Sequence, residues 1–168
     1  MTAPCVVGLD LSMTATGVAF PGGDVATWRP KASDGDRRLL VIHHHLLDLL
    51  LLGEPDLVVI EDLPVHAHAA GVTGMVQGVV RRLLLDQSVP YLLVPPATLK
   101  TYATGKGNSD KPDMRMALYQ RTALDLRDNN QVDAAWLRLL GLDHLGHPEL
   151  TLPATHRRAL DKLPEVTK

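Results

Sequence analysis

The chain has 168 residues, of which 45% are hydrophobic, so one compact domain with its own core is expected. The formal net charge of −2 argues mildly against a nucleic-acid binder unless positive charge is concentrated locally. Cys5 is the only cysteine, which excludes an internal disulfide and any cysteine-based zinc cluster. No apolar run is long enough to cross a membrane and the N-terminus resembles no export signal, so we expect a cytoplasmic protein.

The N-terminal part of the chain is predicted to form an antiparallel meander. Strands at 5–11 and 15–20 are joined by the tight turn SMTA, and a third strand is expected at 23–28. The apolar spacing then becomes helical over 33–52, with a capping box formed by Ser33 and Asp36 at its start and Gly53 at its end.

The remaining elements alternate between buried strands and helices. Unbroken apolar runs predict strands buried on both faces, with parallel neighbours. The strands are expected at 55–62 and 90–94, and the helices at 71–87, 111–124 and 129–140. Past Gly141 the periodicity is lost, which predicts a flexible basic tail from about 142. The prediction is therefore a single α/β domain over 1–168, with a mixed five-stranded sheet flanked by helices.

Three carboxylates stand out by their positions. Asp10 lies on the first strand, Glu61 ends the fourth, and Asp133 lies one turn into the last long helix. If these elements are neighbours, three acidic groups beside buried strands need a cation, and oxygen ligands favour Mg²⁺, with Mn²⁺ as a substitute. Two such ions about 4 Å apart are able to activate water and stabilise the leaving oxygen in phosphodiester hydrolysis. The alternative is structural, in which these residues cap a turn, end a strand or face solvent.

Positive charge is concentrated around the loop TGKGNSDK at 104–111. Its two glycines let the backbone approach a phosphate, although such a loop is also typical of a solvated turn. Further basic side chains on the neighbouring helices and in the tail are predicted to line one groove. The predicted DNA-contacting residues are Lys100, Lys106, Lys111, Arg115, Arg81 and Arg82, with Arg157, Arg158 and Lys162 in the tail.

Four motifs together carry a family resemblance. In order, they are GLDLSMTATGVAF at 8–20, VVIEDLP at 58–64, VPPATLKTYATGKGNSDKPDM at 94–114 and DNNQVDAAWL at 128–137. Over residues 5–141 the chain resembles the RuvC family of Holliday-junction resolvases, within the ribonuclease H-like superfamily, and especially its phage-type members. The resemblance implies a homodimer that binds four-way DNA junctions and nicks two opposed strands symmetrically with Mg²⁺.

The resemblance also assigns residues. Asp10, Glu61 and Asp133 match the family's acidic catalytic positions, and Lys100 and Lys111 match basic DNA-contacting positions. The chain departs from the family pattern at two places. Pro64 stands where bacterial members place an aromatic wedge, so stacking at the junction centre is either absent or supplied from elsewhere.

The second departure concerns the fourth acidic position. The family has a further aspartate three residues before the last one, and here that residue is Asn130. Its amide oxygen is one candidate fourth metal ligand, and Asp128, two residues earlier, is the other. Asp128 is equally well placed to cap the helix that begins near Asn129.

Other interpretations stay open at this point. A junction-binding protein without cleavage, a related nuclease acting on flaps or RNA, and an actin-like ATPase all share features of the first motif or of the fold. The ATPases usually contain two such domains, and this chain has room for one. The histidines, including His66 and His68, lack a full zinc ligand set. The predicted helix at 71–87, with Gly71, Gly74 and Gly78 on one side, is the candidate dimer contact.

Overall fold

A computed structural model describes residues 3–63 and 70–168, and its centre is one mixed sheet. The strands are β1 (Val6–Asp10), β2 (Thr16–Ala19), β3 (Val25–Trp28), β4 (Leu57–Glu61) and β5 (Tyr91–Val94). Their order across the sheet is β3-β2-β1-β4-β5. β1, β4 and β5 run parallel, and β2 is antiparallel to both β1 and β3. The predicted five-stranded mixed sheet is confirmed.

Helices cover both faces of this sheet. They are α1 (Arg38–Gly53), α2 (Ala70–Asp86), α3 (Pro96–Thr104), α4 (Lys111–Thr122), α5 (Asn129–His144) and α6 (Ala154–Arg157). Successive strand residues point to opposite faces. Val7 packs with α1 and α2 in one core cluster, and Val6 packs with α3, α4 and α5 in the other. β1 and β4 are therefore buried on both sides, as the apolar run of β4 predicted for that strand.

The hydroxyl residues after Asp10 close the turn between β1 and β2. The Thr16 side chain donates to the carbonyl of Ser12 at 2.8 Å and accepts from its N–H at 3.2 Å. The hydroxyl groups of Ser12 and Thr14 are 3.1 Å apart. These local bonds replace the strand ladder at the turn, which fixes the end of β1 at Asp10.

α5 lies directly on β1 and β2 because both strands carry glycine where the helix crosses. A Cβ built on Gly8 would lie 2.1 Å from the carbonyl oxygen of Ala134, and one built on Gly17 would lie 2.0 Å from that of Asn130. Any larger residue would push the helix away from the sheet. This close approach sets the distance between Asp133 on the helix and Asp10 on the strand.

The start of the first helix differs from the prediction. Ala32–Arg37 forms a short 3-10 helix instead of the first turns of an α-helix, and α1 begins only at Arg38. Gly35 has φ of +53°, which interrupts the helical backbone. The predicted capping box of Ser33 and Asp36 is therefore wrong, since neither side chain caps a helix N-terminus here.

The C-terminal region also differs from the expected flexible tail. α5 continues past Gly141 to His144, and the following chain returns to the body of the protein. Leu152 and Ala159 are buried in the core, and Arg157 forms an ion pair with Asp143 at 2.7 Å. Thr167 and Tyr91 exchange two backbone hydrogen bonds of 2.9 Å, so the tail reaches the outer side of β5.

Two sequence-based expectations fall outside the described residues. Pro64, at the wedge position, and the His66 and His68 pair lie between Leu63 and Ala70, where no structure is described. Within residues 3–63 and 70–168, none of the helices has the length and apolar character needed to span a membrane. The cytoplasmic location stays a prediction.

Candidate active site

Strand register places two of the predicted carboxylates side by side. In the parallel pairing of β1 and β4, Leu9 lies opposite Ile60, so Asp10 and Glu61 follow as neighbours at the carboxyl ends of their strands. α5 crosses the sheet above them, and Asp133 on this helix is only 2% exposed. The three acidic positions therefore meet at one edge of the sheet.

The pKa values of these groups reflect a shared, poorly solvated environment. Burial raises the pKa of Asp10 to about 7, and repulsion from Asp133 adds to this effect. Burial also raises the pKa of Glu61 to about 8, with further repulsion from Asp10 and Asp133. The pKa of Asp133 is raised by burial as well, against the opposing charge of Lys111. Ionising all three carboxylates at once is unfavourable in this environment. A bound cation would offset this cost and allow all of them to carry a negative charge.

Lys111 supplies positive charge within the cluster. Its ammonium group donates a hydrogen bond to the Asp133 carboxylate, and its side chain is half-exposed. Burial lowers the pKa of Lys111, but the bond to Asp133 and the charges of Asp10 and Glu61 outweigh this and raise it. Lys100 acts at longer range, lowering the pKa values of Glu61 and Asp133. Lys111 was predicted as a DNA contact, and its place among the acids was not foreseen.

The donor set fits a hard divalent cation by its chemistry. All three groups are carboxylates, which are the ligands that Mg²⁺ and Mn²⁺ prefer, and their raised pKa values favour any added positive charge. Within residues 3–63 and 70–168, however, no three acidic, histidine or cysteine side chains are arranged to hold a metal ion as they stand. The three carboxylates therefore lie close enough to repel one another, with Lys111 among them, without converging on a single point.

The raised pKa values predict that the metal-free protein loses stability as pH rises from about 4 to about 8. In the unfolded chain Asp10 and Glu61 titrate at their ordinary values of 3.8 and 4.5, whereas in the fold they titrate at about 7 and about 8. The folded state therefore keeps protons that the unfolded state has released, and this contribution disappears as pH passes the folded pKa values. Melting temperatures in EDTA at pH 5 and pH 8 measure the effect.

The control for this pH dependence is the double variant Asp10→Asn with Glu61→Gln. It removes both titrating groups and is expected to flatten the fall in melting temperature between the two pH values. A wild-type protein whose melting temperature falls no more than that of the double variant would contradict the assignment.

Of the two roles considered for Asp128, helix cap and metal ligand, the structure shows the cap. It is the N-cap of α5, and its Oδ1 accepts from the Asn130 N–H at 3.0 Å. Its Oδ2 accepts from Thr27 at 2.7 Å and from Arg29 at 2.5 Å. Burial raises its pKa, but these hydrogen bonds and the Arg29 charge together lower it. Both carboxylate oxygens are engaged by these partners, which favours the capping role. The role of Asp128 as a metal or catalytic residue stays a prediction.

Replacing Asp128 by alanine is therefore expected to lower stability and leave metal dependence unchanged. Loss of an N-cap costs about 1–2 kcal/mol, which corresponds to a fall in melting temperature of roughly 4 °C for a chain of this size. The Mg²⁺ concentration for half-maximal nicking should stay at the wild-type value. A marked rise in that concentration with an unchanged melting temperature would show that Asp128 is a ligand after all.

Asn130 remains the other candidate for the fourth position. It lies three residues before Asp133, on the same side of α5, and its backbone rests on Gly17 beside Asp10. Asn130→Ala is the matched partner of the Asp128 experiment. Normal nicking by Asp128→Ala across a Mg²⁺ titration, together with impaired nicking by Asn130→Ala, would identify Asn130 as the ligand.

Gln77 was missed by sequence analysis. It is a buried residue of α2 whose side-chain amide donates to the backbone carbonyl of Glu61 at 2.8 Å. This bond ties α2 to the end of β4 and so positions the Glu61 backbone. The sequence signal for this role was a polar residue at a buried position of the helix, because such a residue needs a specific hydrogen-bond partner.

The predicted basic groove is only partly assembled. Lys111 lies at the carboxylates, Lys100 acts on them from a longer distance, and Arg115 follows on α4 in an ion pair with Asp125. Arg81 instead contacts Tyr91, the first residue of β5, whereas Glu61 pairs with the last residue of that strand. Arg82 pairs with Asp86 on its own helix. Arg81 and Arg82 therefore have partners at the other end of β5 and on their own helix, and the single groove for all six side chains stays a prediction.

Two arginines that sequence analysis did not single out lie closer to the site. Arg29 and Arg127 line a cavity of about 580 Å³ together with Lys111 and Asn130. At the other side of α4, Lys106 is exposed in the loop after α3, and Arg158 donates to the carbonyl of Gly105 in that loop at 3.2 Å. The tail thus supports the loop that carries Lys106.

Comparison with known proteins identifies chains that resemble this one. No protein-family model matches the sequence. Over 151 residues the chain is 26% identical to a crossover junction endodeoxyribonuclease RuvC of Akkermansia muciniphila, covering 83% of this chain and 89% of that protein. It is 32% identical to the protein of the same name from Thermomicrobium roseum over 82 residues, 48% of this chain and 50% of that protein.

The fold agrees with these sequence matches. The Thermus thermophilus RuvC structure superposes with a TM-score of 0.71 at 17% identity, covering 88% of this chain and 99% of that one. The chain is thus similar to RuvC proteins both in sequence and in fold. The structure of T. thermophilus RuvC in complex with a Holliday junction substrate matches with a TM-score of 0.67 at 18% identity, again over 88% and 99%. The yeast mitochondrial Holliday junction resolvase matches more weakly, with a TM-score of 0.51 at 14% identity over 81% and 76%.

These matches support the resemblance carried by the four motifs, and the fold agrees with the predicted α/β class with its mixed five-stranded sheet. The narrower phage-type assignment stays a prediction.

Proposed function

We propose that this protein, which resembles RuvC proteins, is a metal-dependent endonuclease that resolves four-way DNA junctions by nicking two opposed strands. The observation that carries the proposal is the meeting of Asp10, Glu61 and Asp133 at one edge of the sheet, with raised pKa values that call for a cation. Curated relatives named crossover junction endodeoxyribonuclease support the reaction class. The substrate follows from the relative whose structure contains a Holliday junction.

In this proposal Asp10, Glu61 and Asp133 hold Mg²⁺, with Mn²⁺ as a substitute and two ions per site. Bound there, the ions supply an activated water and stabilise the leaving oxygen. The basic side chains of the protein favour binding of the DNA phosphates. Lys100 and Lys111 reduce the negative potential that would repel a phosphate, and Lys111 is half-exposed and able to turn from Asp133 towards the DNA backbone. Burial of the acids keeps this site in a low-dielectric setting where such charges act strongly.

The testing experiment compares four labelled substrates in Mg²⁺: a four-way junction, a flap, a linear duplex and an RNA–DNA hybrid. Paired nicks confined to opposed strands of the junction are the expected result. Preferred cleavage of the flap or hybrid would favour a related nuclease of the same superfamily. Binding of the junction without nicking, in Mg²⁺ and in Mn²⁺, would instead favour a non-cleaving junction-binding protein.

Symmetric incision requires two active sites, and α2 offers a surface for pairing two copies. Its outward face carries exposed Val72, Met75 and Leu85 in a row, with Gly78 between them. No described atom lies within 4 Å of a Cβ built on Gly78, so a second helix has room to approach there. We therefore propose a homodimer with twofold symmetry through α2.

The variant Met75→Lys with Leu85→Lys is expected to convert this dimer to a monomer. In a dimer, the two new lysines of one copy would face the two of the other copy across the twofold axis. Burying these four positive charges together costs several kcal/mol in an interface of this kind. Sedimentation velocity of the wild type and variant measures the state. Leu52→Lys, which changes a more fully exposed leucine on α1, is the control and should remain dimeric. A wild type that sediments only as monomer, with and without junction DNA, would refute the dimer.

A further inference from the structure

A second cavity borders the acidic site along α4. It has a volume of about 610 Å³, a size typical of small-molecule and base pockets, and shares Lys111 and Asn129 with the cavity lined by Arg29 and Arg127. Lys111, Arg115 and Tyr119 follow one another at four-residue spacing, so they form one row on the helix. The row starts at the carboxylates and leads outward for about 12 Å.

The cavity is lined by apolar as well as basic side chains, and binding of phosphates alone would not require the apolar ones. Tyr119 is 50% exposed and Met116 is 55% exposed, and both line its wall. The outer part of the helix thus presents an aromatic ring and a polarisable thioether to solvent. These two side chain types suit contact with the face of a flat aromatic group.

Charge at the outer end of this cavity is neutralised, because Arg115 is paired with Asp125 at 2.7 Å. Lys111, at the inner end, is shared with the neighbouring cavity and is half-exposed beside Asp133. The neighbouring cavity carries Arg127, which forms no ion pair among the described residues, whereas Arg29 there is paired with Asp128. A phosphate would therefore find more free positive charge in that cavity, at Arg127. A neutral planar ligand with polar edges fits better, because Asn129 and Asp125 offer hydrogen-bonding groups beside the ring.

We propose that this cavity holds an unpaired nucleobase of the bound DNA, stacked on Tyr119, while the phosphates of the same strand lie along Lys111 and the Arg29–Arg127 cavity. This inference rests on the proposed function and deepens it by naming where an unstacked base at the branch point is held. Stacking on one aromatic ring suits any base, so the contact favours open branch points over a particular sequence.

Photo-crosslinking tests the contact directly. Junctions carrying 5-iodouracil at successive positions around the branch point are bound without divalent ions, irradiated, and mapped by mass spectrometry. A crosslink at Tyr119 from a branch-point position is expected, and it should be absent with Tyr119→Leu and with a fully paired duplex. Crosslinks that map elsewhere at every position would overturn the proposal.

Binding measurements provide the second test. Tyr119→Ala is expected to weaken junction binding by roughly tenfold, the loss of one base–aromatic stack, and to leave duplex binding within twofold. Tyr119→Phe keeps the ring and should bind like the wild type. Leu124→Ala truncates a partly exposed leucine just beyond α4 and outside this cavity, and it serves as the matched control. Equal weakening of junction and duplex binding by Tyr119→Ala would overturn base stacking.

The two proposals fail in different ways. If the wild type neither binds nor nicks a four-way junction, the proposed function fails. If the wild type nicks the junction and Tyr119→Ala binds it with wild-type affinity, only the stacking site fails. The Mg²⁺ concentration for half-maximal nicking should not change in Tyr119→Ala, because the ring lies two helical turns from Lys111 and the carboxylates.

Discussion

Replacing Asp10 by asparagine is expected to abolish nicking of a four-way junction while leaving junction binding intact or tighter. The change removes a carboxylate from the proposed ligand set, and with it the charge that a divalent cation requires. It also removes negative charge from the place where a phosphate must lie, so repulsion of the DNA falls. Asparagine has nearly the same shape as aspartate, and the end of β1 should therefore keep its structure.

Gel-based nicking and a mobility shift without divalent ions measure the two effects separately. The control is Asp48→Asn, an exposed acid on α1, on the face of the sheet opposite α5, which should nick normally. Loss of nicking in both variants would point to a general effect of lost negative charge. Substantial Mg²⁺-dependent nicking by Asp10→Asn would refute the metal-site assignment.

Replacing Gly8 by alanine is expected to destabilise the whole fold. The added Cβ would lie 2.1 Å from the Ala134 carbonyl oxygen and 2.7 Å from the Arg138 N–H, both backbone atoms of α5. Neither can rotate away, so the helix must move off the sheet. Overpacking commonly costs 1–3 kcal/mol, and a rigid backbone neighbour puts this case at or above the upper end. The melting temperature should fall by about 10 °C, or the protein should fail to fold.

Gly22→Ala is the matched control for this prediction. No described atom lies within 4 Å of a Cβ built on Gly22, so this variant should melt within about 2 °C of the wild type. A Gly8→Ala protein that melts like Gly22→Ala would mean that α5 lies farther from β1 than described. Nicking is informative as well, because any soluble Gly8→Ala protein should place Asp133 away from Asp10 and cleave poorly.

Much of this architecture follows from local sequence patterns. The unbroken apolar run before Glu61 identified a doubly buried strand, and the alternation of elements placed it in a mixed sheet. Parallel strands end at the same edge, which is why Asp10 and Glu61 could be expected to meet. The glycines at positions 8 and 17 were not interpreted, since their role appears only when a helix crosses the strand.

Side-chain partners from distant segments could not be inferred in the same way. The pairing of Lys111 with Asp133 depends on the packing of α4 against α5, through contacts such as the Trp136 indole N–H with the Met114 carbonyl at 3.1 Å. Asp128 had two plausible roles because Thr27 and Arg29, which engage its carboxylate, are about a hundred residues away in sequence. Helix orientation likewise separates Arg81 from the acidic site.

The pairing of Thr167 with Tyr91 bears on how the protein avoids self-association. β5 ends one side of the sheet, and an uncovered strand of this kind offers free N–H and C=O groups to other chains. Two backbone hydrogen bonds of 2.9 Å from the last residues occupy one such position at the start of β5. The C-terminal segment therefore blocks the addition of another strand at this position. A shortened chain that lacks the segment would expose this position of β5 to pairing with other chains, which promotes aggregation.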